Sequence, residues 1–244
     1  PVSVEAFLLP CILQALGDLE ECVVAAALHC LRRFVRKDLI SSTARLDVGR
    51  RASPLLCHPN AWVRSATVSL VAALHQAQSS AETVCFLLPV LRPLLRPATA
   101  RRSDLAALAS PRALATSLRA PVSRTGFDRA LSALGTALEE GGFAAAPHTA
   151  HDPPVLAGRT STRAPPQPTA LPERGVRPSA PDKECPPLPV SALADVSEED
   201  AATLQAMCAY VRAAALTKLS RVRMWEGDNA ARLHTAGPPG GELA

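Results

Sequence analysis

Aromatic residues are scarce: the 244-residue chain has five Phe, two Trp and one Tyr. A core without rings must be built from Leu, Val and Ala, which suits helices packed at close range. The scarcity also argues against nucleic acid, because single strands are held on aromatic stacking platforms. The net charge of +4 and pI near 8.9 are too small to imply such a partner. No run of about eighteen apolar residues occurs, so no spanning helix is expected. The richest run, Val84 to Leu95, is broken by Arg92 and Pro93. No basic segment leads a short apolar core, so no signal peptide is expected. The chain opens on Pro1, not Met, and the expectation is a fragment of a longer protein. Phosphoryl transfer of the protein-kinase kind needs a Gly-rich loop, a strand Lys, H-R-D and D-F-G. None of these is present, nor is G-x-x-x-x-G-K-[ST] or G-x-S-x-G, so no catalytic residue and no cofactor is expected.

Seven cysteines make an odd number. Cys11, Cys22, Cys30, Cys57 and Cys85 fall in helical apolar patterns and read as buried thiols in a reducing cytoplasm. His29-Cys30 and Cys57-His58 are adjacent pairs without the spacing of a zinc site, so no metal ligand is expected.

What is abundant is helical periodicity. Leu9, Ile12, Leu13 and Leu16 recur at helical spacing, with Pro10 tolerated if it lies in the first turns. Asp18 and Glu21 have the spacing of a capping box, opening a second helix with Val23, Ala27, Leu28 and Leu31 inward. A weaker helix over 43–57 follows, then Pro59-Asn60 as turn and cap for a helix carrying Val63, Val68, Leu70, Val71 and Leu74. Leu16 and Val23 align with Leu56 and Val63 at an offset of forty. F-L-L-P recurs at 7–10 and 86–89, an offset of 79. A period near forty in helix pairs marks a HEAT-type solenoid, in which stacking buries stripes that one pair cannot bury alone.

The stretch Ala120 to Leu131, A-P-V-S-R-T-G-F-D-R-A-L, is a helix entry. Pro121 stops what precedes it. Ser123 caps, and Val122 with Phe127 has the spacing of a hydrophobic staple. Gly126 occupies the third helical position, so the reciprocal capping carboxylate is missing. Arg124 and Asp128 lie four apart and can pair across one turn. The helix runs to about Glu139, where Gly141-Gly142 ends it.

From 143 to 190 prolines crowd in and large apolar residues fall away, as in a disordered or polyproline-like linker. Ser197 then opens an acid-led helix whose stripe is Leu204, Met207, Cys208, Val211, Ala215 and Leu219. Such a helix is marginal alone and must dock on something. The expected division is a HEAT-type helical domain over 1–140, a disordered Pro-rich linker over 141–194, an amphipathic helix over 195–225 and a loose tail over 226–244. The class is all-α.

P-V-S-R-x-x-F-D-x-A-L at 121–131 resembles the regulatory subunit of the class III phosphatidylinositol 3-kinase complex, of the vacuolar-protein-sorting type. F-L-L-P-C-I-L-Q-A-L-x-D-x-E-E-C-V (7–23) and P-L-L-C-H-P-N-x-W-V-R (54–64) resemble two of its HEAT repeats, in the same order. The resemblance implies a non-catalytic scaffold that holds the lipid-kinase catalytic subunit and a Beclin-type subunit together. It also implies a role in autophagy and endosomal or vacuolar sorting, in the cytoplasm and peripheral to endosomal and autophagic membranes. Any protein-kinase-like domain of the family would lie upstream. By the same resemblance Pro121, Ser123, Arg124, Phe127 and Asp128 are the interaction candidates. One charge asymmetry stands apart: Arg92, Arg96, Arg101, Arg102, Arg112 and Arg119 form a basic segment. It fits a solvated edge, an acidic partner or an anionic membrane surface. The alternatives are therefore a generic HEAT adaptor of transport or phosphatase type, or a membrane-surface module using that segment.

Overall fold

The computed structural model describes residues 4–96, 108, 110–140, 186–194 and 196–235. The regular elements among the described residues are helical, joined by short turns. No strand occurs among them, only one antiparallel bridge between Leu95 and Leu118. In chain order the helices are α1 (Leu9–Ala15), α2 (Glu21–Arg36), α3 (Ser42–Ala52), α4 (Ala61–Ala77), α5 (Ser80–Glu82), α6 (Leu88–Leu91), α7 (Pro111–Ser117), α8 (Arg124–Glu140), α9 (Val190–Leu193), α10 (Glu198–Ala206) and α11 (Cys208–Thr235).

The core is aliphatic. α2 buries Val24, Ala27, Leu28, Leu31 and Val35 against α4, which is covered along most of its length. A fully buried Leu or Val stabilises the fold by roughly 1.5–3 kcal/mol, so the α2–α4 contact is the mainstay of the stack. The inward face of α2 is one residue out of the expected phase. Val24 is buried at 1% while Val23 is 38% exposed. α2 and α4 do begin forty residues apart, at Glu21 and Ala61. Their buried faces, however, superpose at 39, Val24 on Val63 and Leu31 on Leu70. The cap differs as well. Glu20, not Asp18, is the N-cap of α2, and no side chain caps it. Asp18 instead accepts from the Glu20 N–H at 2.9 Å.

The repeated F-L-L-P has a structural counterpart. A π-helical turn, Val4–Leu8, precedes Pro10, and another, Thr83–Leu87, precedes Pro89. Proline has no N–H and its ring crowds the carbonyl four residues back, so the helix widens by one residue before it. The sequence offset of 79 thus repeats a backbone irregularity as well as a string of letters. Neighbouring layers are stitched by acids: Glu5 accepts from the Ser41 N–H and Glu82 from the Ser42 hydroxyl.

The C-terminal helices pack back on this stack. α9 and α11 lie against α8. Leu188, Leu204, Met207, Tyr210, Val211, Ala214 and Ala215 join the same hydrophobic core as α2 and α4. The last helical region breaks at Met207 and continues to Thr235, past the end expected near 225. Residues 186–194, which composition assigns to the linker, include the buried Leu188 and Ala192. The linker from 141 to 185 and the tail from 236 lie outside the described residues. Of the cysteines read as buried, only Cys57 is so; Cys30 is half-buried and Cys11, Cys22 and Cys85 are exposed.

Candidate functional site

Three separate stretches meet at the start of α8. The backbone N–H of Val122 donates to the Cys57 carbonyl at 3.0 Å, tying the entry of α8 to the 3-10 turn Ser53–Cys57 before α4. Ser123 caps α8: its hydroxyl accepts from the Gly126 N–H at 3.1 Å. The carboxylate missing from the local sequence arrives from α10. Asp200 accepts from the Ser123 N–H at 3.1 Å and from the Ser123 hydroxyl. A capping box is thereby completed by a residue 77 positions away. Gly126 is what makes room. A Cβ there would stand 2.9 Å from both the Asp200 carboxylate and the Ser123 hydroxyl.

Val122 and Phe127 are both buried, at 2% and 4% exposure, as a staple requires. Phe127 also meets two rings. His58 lies edge-on at 5.1 Å and Tyr210, from α11, stacks at 6.1 Å. His58 and Tyr210 are themselves 5.6 Å apart and near perpendicular. Two of the eight rings in the chain and one imidazole thus close a cluster between the solenoid and its last helix. Such pairs add about 0.5–1.5 kcal/mol each beyond the area they bury.

A polar rim surrounds the cluster. Arg124 pairs with Asp128 at 3.7 Å, as its spacing suggests, and also with Glu21 at the first position of α2. Glu21 accepts from the Asn60 side-chain amide as well. Asn60 in turn caps α4, its side-chain oxygen accepting from Trp62 at 2.7 Å and Val63 at 3.4 Å. Arg64 donates to the His58 and Pro59 carbonyls, each at 2.7 Å. Burial opposes the charge of Glu21, but the bonds from Arg124 and Asn60 outweigh it and hold the carboxyl below its ordinary value. The bond to Glu21 makes Arg124 hold its proton more firmly.

His58 is 1% exposed, and burial lowers its pKa to about 4. Its Nδ1 takes the Asn60 N–H at 3.1 Å, which assigns the neutral ring with the proton on Nε2. Burial raises the Cys57 thiol to about 11 and pushes the Tyr210 phenol upward too. The neutral imidazole and the protonated thiol both lie buried within the packing of this ring cluster. The geometry is that of a joint which fixes three helix starts relative to one another.

The basic segment divides. Arg96 donates its N–H to the Ser117 carbonyl at 3.0 Å and its Nε to Leu118 at 2.9 Å. Arg119 does the reverse, to Leu94 at 2.9 Å and Leu95 at 3.3 Å. These two arginines strap α7 to the end of the Arg92–Leu94 turn. Arg92 and Arg112 are exposed, and Arg101 and Arg102 lie outside the described residues.

Sequence reading picked out Pro121, Ser123, Arg124, Phe127 and Asp128. It missed Glu21, His58, Asn60, Asp200 and Tyr210 as their partners. Glu21 and the His58–Asn60 turn fall inside the other two motif stretches, so the three motifs converge here.

The family model for the middle domain of PIK3R4-like proteins matches residues 1–131. A probable serine/threonine-protein kinase vps15 of Dictyostelium discoideum is 40% identical over 93 residues, 38% of this chain and 5% of that protein. Serine/threonine-protein kinase VPS15 of Arabidopsis thaliana is 36% identical over 105 residues, 43% of this chain and 7% of that protein. Its namesake in Saccharomyces cerevisiae is 36% identical over 63 residues, 26% of this chain and 4% of that protein. The matched region is therefore a small part of these relatives' length.

Proposed function

The chain belongs to the PIK3R4-like middle-domain family, and we propose that it serves as a non-catalytic helical scaffold within a Vps15-type regulatory subunit. In this reading it supports a class III phosphatidylinositol 3-kinase complex by holding the lipid-kinase catalytic subunit and a Beclin-type subunit in place. Its setting is the cytoplasmic side of endosomal and autophagic membranes, in autophagy and vacuolar sorting. The relatives are named as protein kinases, and the kinase signature motifs are missing from this sequence. The scaffold unit is the HEAT-type stack over 1–140.

One observation carries the reading. The three stretches that resemble the family are far apart in sequence, yet Glu21, Asn60, Arg124 and Phe127 belong to one joint. A joint that sets helix angles is what a scaffold needs, since partners are held by shape and spacing.

The test is a paired experiment on Arg124→Ala in the full-length protein. Arg124 is 57% exposed, so its loss should lower stability by under about 1 kcal/mol. If Arg124 also contacts a partner, recovery of the lipid-kinase catalytic subunit falls while the melting curve stays put. Normal recovery with normal melting would leave Arg124 a purely structural residue. Failure of the unaltered protein to recover the lipid kinase would remove the scaffold reading itself.

A further inference from the structure

The stack is held differently along its two kinds of helix. α2 and α4 pack on each other, and Leu28, Leu31, Leu70, Val71 and Leu74 on them are fully buried. Their starts are also tied to each other and to α8 through Glu21, Asn60 and Arg124. α3 has no such anchorage. It touches the second π-helical turn, Thr83–Leu87, and is bonded to Glu5 of the first. From Ser42 to Asp47 it buries no residue. Its buried residues, Val48, Gly49 and Ala52, come late in the helix, and only Val48 has a side chain larger than a methyl group.

What holds the first half of α3 is polar. Glu5 accepts from the Ser41 N–H, and Glu82 accepts from the Ser42 hydroxyl. Arg45 donates to the Ala77 carbonyl at the end of α4, at 2.9 Å, and pairs with Asp38. This network is incomplete. Arg45 Nε and both polar atoms of the Gln78 side-chain amide are buried with no hydrogen-bond partner in the protein. Arg45 and Gln78 line one notch, together with Leu46, Gly49, Phe86 and Leu87. A buried polar group left unpaired costs free energy that exposure to water returns. Few buried apolar contacts and incompletely paired polar groups mark a segment that opens locally before the rest of a fold.

We propose that the stack opens along this edge. Residues 42–47 part from the second π-helical turn, while α2 and α4 stay closed as a spine. Water entering the notch pairs the Gln78 amide and Arg45 Nε, and this offsets part of the cost of the contacts that break. The layers thus change their spacing at α3 while the joint at α8 keeps its geometry. The proposal does not depend on the lipid-kinase reading.

Hydrogen–deuterium exchange of the full-length protein, read by mass spectrometry, tests it. Peptides covering 42–50 and 83–91 should exchange at least tenfold faster than peptides within α2 and α4. Arg45→Ala should accelerate both regions together and leave α2 and α4 unchanged. Gln78→Leu removes the unpaired amide and should slow both. Exchange at 42–50 as slow as in α2 overturns the proposal. So does acceleration by Arg45→Ala that is confined to 42–50, or that spreads equally over α2 and α4. Exchange that Gln78→Leu leaves unchanged overturns it as well, because the notch would then have no part in the opening.

Discussion

His58 stands at the meeting point of Cys57, Phe127 and Tyr210, and its protonation state is coupled to the fold. Its pKa is about 4 when folded, against an ordinary 6.5. The unfolded chain therefore binds more protons between those values, and stability rises with pH across that window. The contribution is complete above about pH 6.5, absent below about pH 4, and amounts to roughly 3 kcal/mol. Melting curves at pH 7 and pH 5 should differ, and His58→Gln should flatten most of the difference. Glu21 acts in the same direction at lower pH. Its carboxyl titrates below its ordinary value, so its stabilisation is present above the unfolded value and lost as the pH falls through the folded one. Phe127 and Arg124 separate packing from charge at the same joint. Phe127→Ala removes a side chain that is 4% exposed and touches two rings, a class of change that costs about 3–5 kcal/mol. Arg124→Ala removes two partly exposed ion pairs and should cost under about 1 kcal/mol by chemical denaturation.

The start of α8 illustrates what an element inherits from its own sequence and what it borrows. Ser123 as cap, the Val122–Phe127 staple and the end near Glu140 were all legible, because each depends on neighbours within one turn. The Asp200 carboxylate was not, because nothing local marks a residue 77 positions away as the missing half of a capping box. Gly126 was read only as a gap in that box. In the folded chain it is the space Asp200 occupies. Gly126→Ala should therefore destabilise markedly, while in an Asp200→Ala background the added methyl should cost far less. A double-mutant cycle by thermal melting measures the difference, and additive effects would contradict this account of the glycine. Helix existence was also legible in α2 and α4, but the phase of α2 was not. Val23 and Val24 are equally apolar, and only packing against α4 decides that Val24 points inward. Both π-turns were hidden for a related reason. Proline announces a break, but whether the helix kinks, ends or widens depends on what surrounds it.

Across the whole molecule, the helices beyond the proline-rich stretch close the stack. Tyr210 of α11 packs on both Phe127 and His58, and Leu204 and Met207 join the same hydrophobic core, so these helices cover the joint. A chain ending at residue 140 should melt earlier and less cooperatively than one that includes 186–235. Supplying 186–235 as a separate polypeptide should restore part of the loss, as seen by circular dichroism. That an acid-led helix needs a docking surface was legible from its stripe; that the surface is α8 of the same chain was not. The same closure bears on function, since a scaffold transmits its geometry only while its joints hold. The most direct measurement is recovery of the class III lipid-kinase catalytic subunit by the full-length protein carrying Phe127→Ala, compared with the unaltered protein. The account predicts that recovery falls at least tenfold, in step with the loss of stability in this region. Unchanged recovery from a protein whose joint has demonstrably melted would contradict it.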